Sequence, residues 1–169
     1  SEDMGKSEGI VDLQRKFVPA APPVNQESHE HSLTAFARGR IRSPLIVVAS
    51  LIDKITNLAG LSRTCEIFNV SSICLANARA AKDPTFQAIS VSAEKWLPIE
   101  EVPVARLRTY LLHLRDRGYQ VVGVEQTHNS VKLDDWAFQP HTALVLGGEK
   151  EGISAELLSI LDACVEIPQ

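Results

Sequence analysis

Residues 142–168, "TALVLGGEKEGISAELLSILDACVEIP", read as a strand, a glycine turn, a helix and a second strand. "TALVLGG" is an apolar run of strand length that ends on glycine, and "SAELLSILD" carries helical spacing behind Ser154, a residue type suited to capping. "ACVEIP" returns to strand character. Two strands joined through a helix run parallel, because the crossover must carry the chain back to its starting end. This stretch therefore decides the class.

The same alternation extends outward from it. "PLIVVASLI" (44–52) is a buried strand, 57–69 a helix, "SSICLA" (71–76) a strand and "QAISVSA" (87–93) a weaker one, the last two separated by the polar turn region "NARAAKDPTF". "VPVARLRTYLLHLRDRG" (102–118) is a helix with proline at its start and glycine at its end, and "YQVVGVEQ" (119–126) is another strand. The expectation is an α/β domain with a mainly parallel sheet and helices on both faces. Ligands of such sheets bind beyond the carboxyl ends of the strands. Those ends are "LIDKITN" (51–57), "EQTHNS" (125–130), "LGGEKEG" (146–152) and "EIPQ" (166–169).

Residues 1–43 are of another kind. "SEDMGKSEG" is polar, "FVPAAPPVNQESHEHS" (17–32) is rich in proline and polar residues, and no apolar period is sustained. We read 1–43 as a linker or lead-in segment and 44–169 as the folded domain. The chain has 169 residues, 44% of them hydrophobic and 22% charged, with a formal charge of -4. Those numbers fit one globular domain and do not advertise a nucleic-acid binder. Cys65, Cys74 and Cys164 are odd in number, far apart and set in apolar runs, which suits buried thiols in a reducing compartment. Neither a secretory signal nor an apolar run of roughly 20 residues is present, so a cytoplasmic or nuclear setting is expected and no membrane partner.

Several candidates for chemistry stand beside a plain structural reading. Gly147, Gly148 and Gly152 follow a strand as a phosphate loop would, yet they do not make GxGxxG, and Glu149 and Glu151 would repel a pyrophosphate. That disfavours a Rossmann-type oxidoreductase; a neutral or cationic ligand suits the loop better. The glycines also serve a simple strand-to-helix turn. Asn57 sits where a helix cap belongs, and Arg63 lies opposite the apolar stripe Leu58, Leu61, Cys65 and Phe68. A cation so near a helix N-terminus opposes the helix dipole, unless it is simply solvated. Arg38, Arg40 and Arg42 in "RGRIR" share one side of an extended segment, as phosphate contacts or as a solvated linker. "HEH" (29–31) has no further ligands nearby, so no metal is expected.

Two groups of these residues match motifs in order. Asn57, Gly60, Arg63 and Thr64 fit N-x-x-G-x-x-R-T, and Gly147, Glu149 and Gly152 fit a strand followed by G-x-E-x-x-G, running on to an aspartate and the pair Ile167–Pro168. Over residues 44–169 the chain resembles the SPOUT superfamily, specifically the TrmH-type tRNA/rRNA 2′-O-ribose methyltransferases.

The resemblance implies a sheet whose C-terminal part is tied into a trefoil knot, with S-adenosyl-L-methionine bound there and released as S-adenosyl-L-homocysteine. It implies tRNA as substrate, with a D-loop guanosine as target, and a homodimer whose second subunit completes the site. Arg63 would reach the target ribose, as a base or as a group orienting the 2′-hydroxyl. A guanidinium keeps its proton throughout the physiological range, so positioning and charge stabilisation are the better role. Asn57 would fix substrate or Arg63, and Glu149 would hold the loop. Thr127, Leu146, Gly147, Gly148, Gly152, Ile167, Pro168 and Gln169 would enclose the cofactor, with Arg38, Arg40, Arg42 and Arg63 on the RNA. The family's third motif, a glycine and a Ser-Leu-Asn-rich helix threaded through the knot, does not occur within residues 1–169. These residues alone are expected to bind cofactor poorly. The alternative is a non-catalytic RNA-binding or dimerisation module with the same fold.

Overall fold

The computed structural model describes residues 41–168. Seven strands form one parallel sheet: β1 (Ser43–Val48), β2 (Val70–Leu75), β3 (Ile99–Glu101), β4 (Gln120–Val124), β5 (Val131–Lys132), β6 (Thr142–Leu146) and β7 (Ala163–Glu166). Four α-helices join them: α1 (Ile55–Ile67), α2 (Pro84–Ser90), α3 (Val104–Asp116) and α4 (Ala155–Leu158). The order across the sheet is β3-β2-β1-β6-β4-β7-β5.

The central strands are buried on both faces, so they read as continuous apolar runs, and successive side chains serve opposite cores. In β1, Ile46 and Val48 join Leu107, Leu111 and Leu114 of α3 and Leu157 of α4. Val47 and Ala49 face the other way, with Leu58, Ala59 and Cys65 of α1 and Phe86 of α2. Helices thus cover both faces, as expected.

The expected strand at 87–93 is instead mostly the helix α2. Asp83 accepts the N–H groups of Thr85 (2.7 Å) and Phe86 (3.4 Å), and Pro84 supplies a pre-set φ at the first helical position. That start signal outweighs the β-branched residues behind it. The helix ends where Val91 and Ser92 take φ of 50° and 67°, a costly conformation for a β-branched side chain. Strands β3 and β5, three and two residues long, carry no readable periodicity. Helix α1 begins two residues ahead of Asn57, and its C-cap Phe68 is 72% exposed, so Phe68 leaves the apolar stripe.

The strand order is what places a site. From β1 the chain moves outward to β2 and β3, and the later strands fill the other side, so the order reverses between β1 and β6. The two loops that leave this switch point diverge and open a crevice.

Candidate functional site

The loop after β1 leads into α1, and the loop after β6 is the glycine loop. Together they line a cleft of about 340 Å³ whose walls include Leu51, Asp53, Lys54, Gly148 and Glu149. Asn57 is the third residue of α1 and not its cap; the N-cap position is Lys54, whose side chain caps nothing. The amide is directed outward instead, and Nδ2 donates to Glu149 Oε1 at 2.7 Å across 92 residues of chain. One bond joins the two motifs.

Glu149 is fully exposed, yet its own backbone N–H, and next the Asn57 amide, hold its carboxyl below the ordinary glutamate range. The Lys54 charge acts in the same direction. No acidic residue lies in the first turn of α1, so Glu149 also brings negative charge to that positive helix end.

The loop is pinched at its base. Gly148 and Gly152 exchange backbone hydrogen bonds, both 3.0 Å, leaving residues 149–151 as a projecting tip. Gly152 has φ of 64°, where a side chain is strained. A Cβ on Gly148 would lie 2.9 Å from the Leu51 carbonyl oxygen, so the β1 and β6 loops approach as closely as backbone allows.

A Cβ on Gly147 would lie 2.7 Å from Glu125 Oε2 and 3.0 Å from Gly152 Cα. The side-chain direction at Gly147 is thus toward the Glu125 carboxylate. Glu125 was not among the residues singled out in the sequence. Its position one residue beyond β4, in the register that sets Val124 beside Leu146, was the available signal.

A second hollow of about 200 Å³ opens at the ends of β4 and β7, lined by Val124, Glu125, Gln126, Glu166 and Ile167. The Thr127 N–H donates to Ser130 Oγ at 3.1 Å, and that hydroxyl lies 2.6 Å from Glu166 Oε2. The loop after β4 is thus tied to the end of β7. Leu146 ends β6 and Gly147, Gly148 and Gly152 belong to the glycine loop, while Thr127, Ile167 and Pro168 lie toward this neighbouring edge.

Arg63 is exposed and makes no ion pair or hydrogen bond among the described residues. At 100° per residue it lies about 120° around α1 from Asn57, so the two are not brought together within one chain. Arg42 is turned inward. Its guanidinium pairs with Glu66 at 2.8 Å and donates to the carbonyls of Val70 (3.0 Å) and Trp96 (2.8 Å), with a side chain 10% exposed. It clamps the start of β1 and offers nothing to a phosphate. Arg38, Arg40 and Gln169 lie outside the described residues. No cluster of three or more metal-ligating side chains occurs among the described residues, and no helix there is long and apolar enough to cross a membrane.

Residues 44–169 match the model of the SpoU rRNA Methylase family. The chain is 45% identical over 161 residues to the mouse protein named tRNA (guanosine(18)-2'-O)-methyltransferase TARBP1, covering 94% of this chain and 10% of that protein. It is 40% identical over 129 residues to the Saccharomyces cerevisiae tRNA (guanosine(18)-2'-O)-methyltransferase, covering 76% of this chain and 9% of that protein. The chain therefore spans about a tenth of the length of these two relatives. Among solved structures, the Aquifex aeolicus TrmH/SpoU tRNA modifying enzyme superposes with a TM-score of 0.67 at 28% identity, over 85% of this chain and 71% of that one.

Proposed function

The chain belongs to the SpoU rRNA Methylase family, and on that premise we propose that it carries the catalytic domain of an S-adenosylmethionine-dependent tRNA 2′-O-ribose methyltransferase acting on a D-loop guanosine. Residues 44–169 are that domain in this reading, and residues 1–43 lead into it. The observation that carries it is the 2.7 Å bond between Asn57 and Glu149 at the switch point. It joins two residues of the family's separate motifs at the one place where such a sheet binds ligands. The names of the relatives supply the reaction class and the tRNA.

The residues present fit the methyl donor. A cationic sulfonium compound without phosphate suits a glycine loop bearing Glu149 and Glu151 and a neighbouring hollow edged by Glu166. The donor supplies the methyl group. The chain's own part is to hold the acceptor: Asn57 and Glu149 fix the loop, and Arg63 orients the ribose and stabilises charge. Because Arg63 is turned away from Asn57 around α1, a second copy of the chain completes the site in this reading. The assembly is then a homodimer of a cytoplasmic or nuclear enzyme.

The test uses the intact protein that contains this chain. Labelled methyl is transferred from S-adenosylmethionine to a tRNA transcript and to the same transcript with a 2′-deoxyguanosine at the D-loop target. Transfer to the first and not the second is expected. Equal transfer to both would overturn the 2′-hydroxyl of that nucleotide as acceptor. No transfer, with no binding of S-adenosylhomocysteine, would favour the non-catalytic module.

A further inference from the structure

The glycine loop is held from beneath by one side chain. Glu125 follows β4, and its N–H donates to the Val165 carbonyl of β7 at 3.0 Å, which fixes its backbone against the sheet. The register that pairs Val124 with Leu146 sets Glu125 beside Gly147. From there its carboxylate runs under the pinched base of the loop, where Oε2 accepts the Ile153 N–H at 2.9 Å. The same oxygen fills the hollow left by two missing side chains: a Cβ on either Gly147 or Gly152 would collide with it.

We propose that Glu125 is a positioning residue for the glycine loop, setting the loop tip so that Glu149 meets Asn57. The inference rests on the methyltransferase reading for its catalytic consequence, and on the geometry alone for its structural one. Three features support it. The Ile153 N–H marks where the loop turns toward α4, so an acceptor there fixes the exit of the loop. Gly148 and Gly152 fix its width through their mutual hydrogen bonds, leaving tilt as the remaining freedom. The Glu125 carboxylate, filling the space that side chains at Gly147 and Gly152 would take, limits that freedom. The glycines and the glutamate are then one device. Two residues without side chains make room for a third whose side chain comes from the neighbouring strand.

The role differs from that of Glu149, which is exposed and bonds to Asn57. Glu125 touches neither, and it acts through the loop.

The test takes Glu125→Ala and Glu125→Gln in the intact protein, alone and combined with Glu149→Ala. Glutamine keeps an oxygen to accept the Ile153 N–H; alanine does not. For methyl transfer, Glu125→Ala should lower kcat at least tenfold with KM for tRNA changed less than threefold. Glu125→Gln should stay within about threefold of the parent. In the Glu149→Ala background, Glu125→Ala should cost less than threefold more, since both act on one bond. Hydrogen exchange at the Ile153 amide should quicken at least tenfold in Glu125→Ala and stay slow in Glu125→Gln, and this readout stands whether or not the protein transfers methyl. Equal behaviour of the two variants, full additivity with Glu149→Ala, or unchanged exchange would each overturn the proposal. Absence of transfer in the parent protein would instead count against the methyltransferase reading.

Discussion

Two of the hollows on this molecule are built on opposite principles. The cleft of about 340 Å³ at the β1/β6 switch point is walled by backbone and exposed charged groups, tied by the side-chain bond from Asn57 to Glu149. The hollow of about 430 Å³ between β3 and α3 is larger, lined by Glu100, Val102, Arg106, Tyr110 and others. Two of its wall residues, Glu100 and Tyr110, are engaged from within the fold: Ser72 Oγ donates to Glu100 Oε1 at 2.6 Å, Tyr110 Oη to Glu100 Oε2 at 2.9 Å, and the Cys74 thiol to Tyr110 Oη at 3.3 Å. Size alone would favour the second over the first. A closed polar network holds a fold together, whereas groups left open toward solvent remain available to a ligand.

The sharpest way to break this contrast is at the arginines. Arg63→Ala should reduce methyl transfer at least a hundredfold, on the scale of losing one transition-state contact. Arg63 is exposed and makes no bond among the described residues, so the melting temperature should change by less than about 2 °C. Arg106→Ala, beside the larger hollow, should leave transfer within twofold. Retention of more than about a third of the activity in Arg63→Ala would remove that residue from the mechanism.

A smaller effect is expected at Gly147. If Gly147 encloses the cofactor, as the resemblance implies, valine there weakens cofactor binding without loss of stability. The structure changes this expectation, because a Cβ meets Glu125 Oε2 at 2.7 Å and Gly152 Cα at 3.0 Å. Gly147→Val should destabilise by about 1–3 kcal/mol, the usual cost of overpacking, with activity falling in parallel. Calorimetric melting beside cofactor titration checks it; a stable variant that no longer binds would restore the original reading.

The closed network should announce itself in alkali. Burial pushes the Cys74 thiol up to about 12, with the Tyr110 hydrogen bond opposing and the Glu100 charge adding to the rise, and burial does the same to Cys65. A raised folded pKa contributes stability that is present below the unfolded value, 9.0, and is lost as pH rises through the folded one. The melting temperature should therefore hold up to about pH 9 and decline steadily above it. Glu149 has the opposite sign: its carboxyl is depressed, so it stays ionised well into acid and its bond to Asn57 does not titrate near neutrality. A melting temperature flat to pH 11 would show that the thiols are not held in the way described.

Much of this was legible because the central strands are long and apolar. "PLIVVASLI" and "TALVLGG" announced β1 and β6, and with them the switch point. Ser154 was rightly placed as a cap, accepting the Leu157 N–H at 3.4 Å. What the sequence hid was tertiary. Nothing local tells that Arg42 turns inward to Glu66, 24 residues away, or that Glu125 lies beneath a loop 28 residues on. Asn57 was read as a cap because α1 has a weak N-terminal signal, Lys54 capping nothing. Its partner lay 92 residues downstream.

One crossed pair of substitutions tests the contrast most directly: Glu149→Ala and Glu100→Ala, each assayed for methyl transfer and for melting temperature in the intact protein. Glu149 is exposed, so its loss should lower transfer at least tenfold and leave melting nearly unchanged. Loss of Glu100 strips acceptors from Ser72, which is 4% exposed, and from Tyr110, and should destabilise by about 1–3 kcal/mol while the folded enzyme keeps its activity. If Glu100→Ala abolishes transfer in a folded protein while Glu149→Ala spares it, the reacting groups lie in the larger hollow and the site assigned at the switch point is wrong.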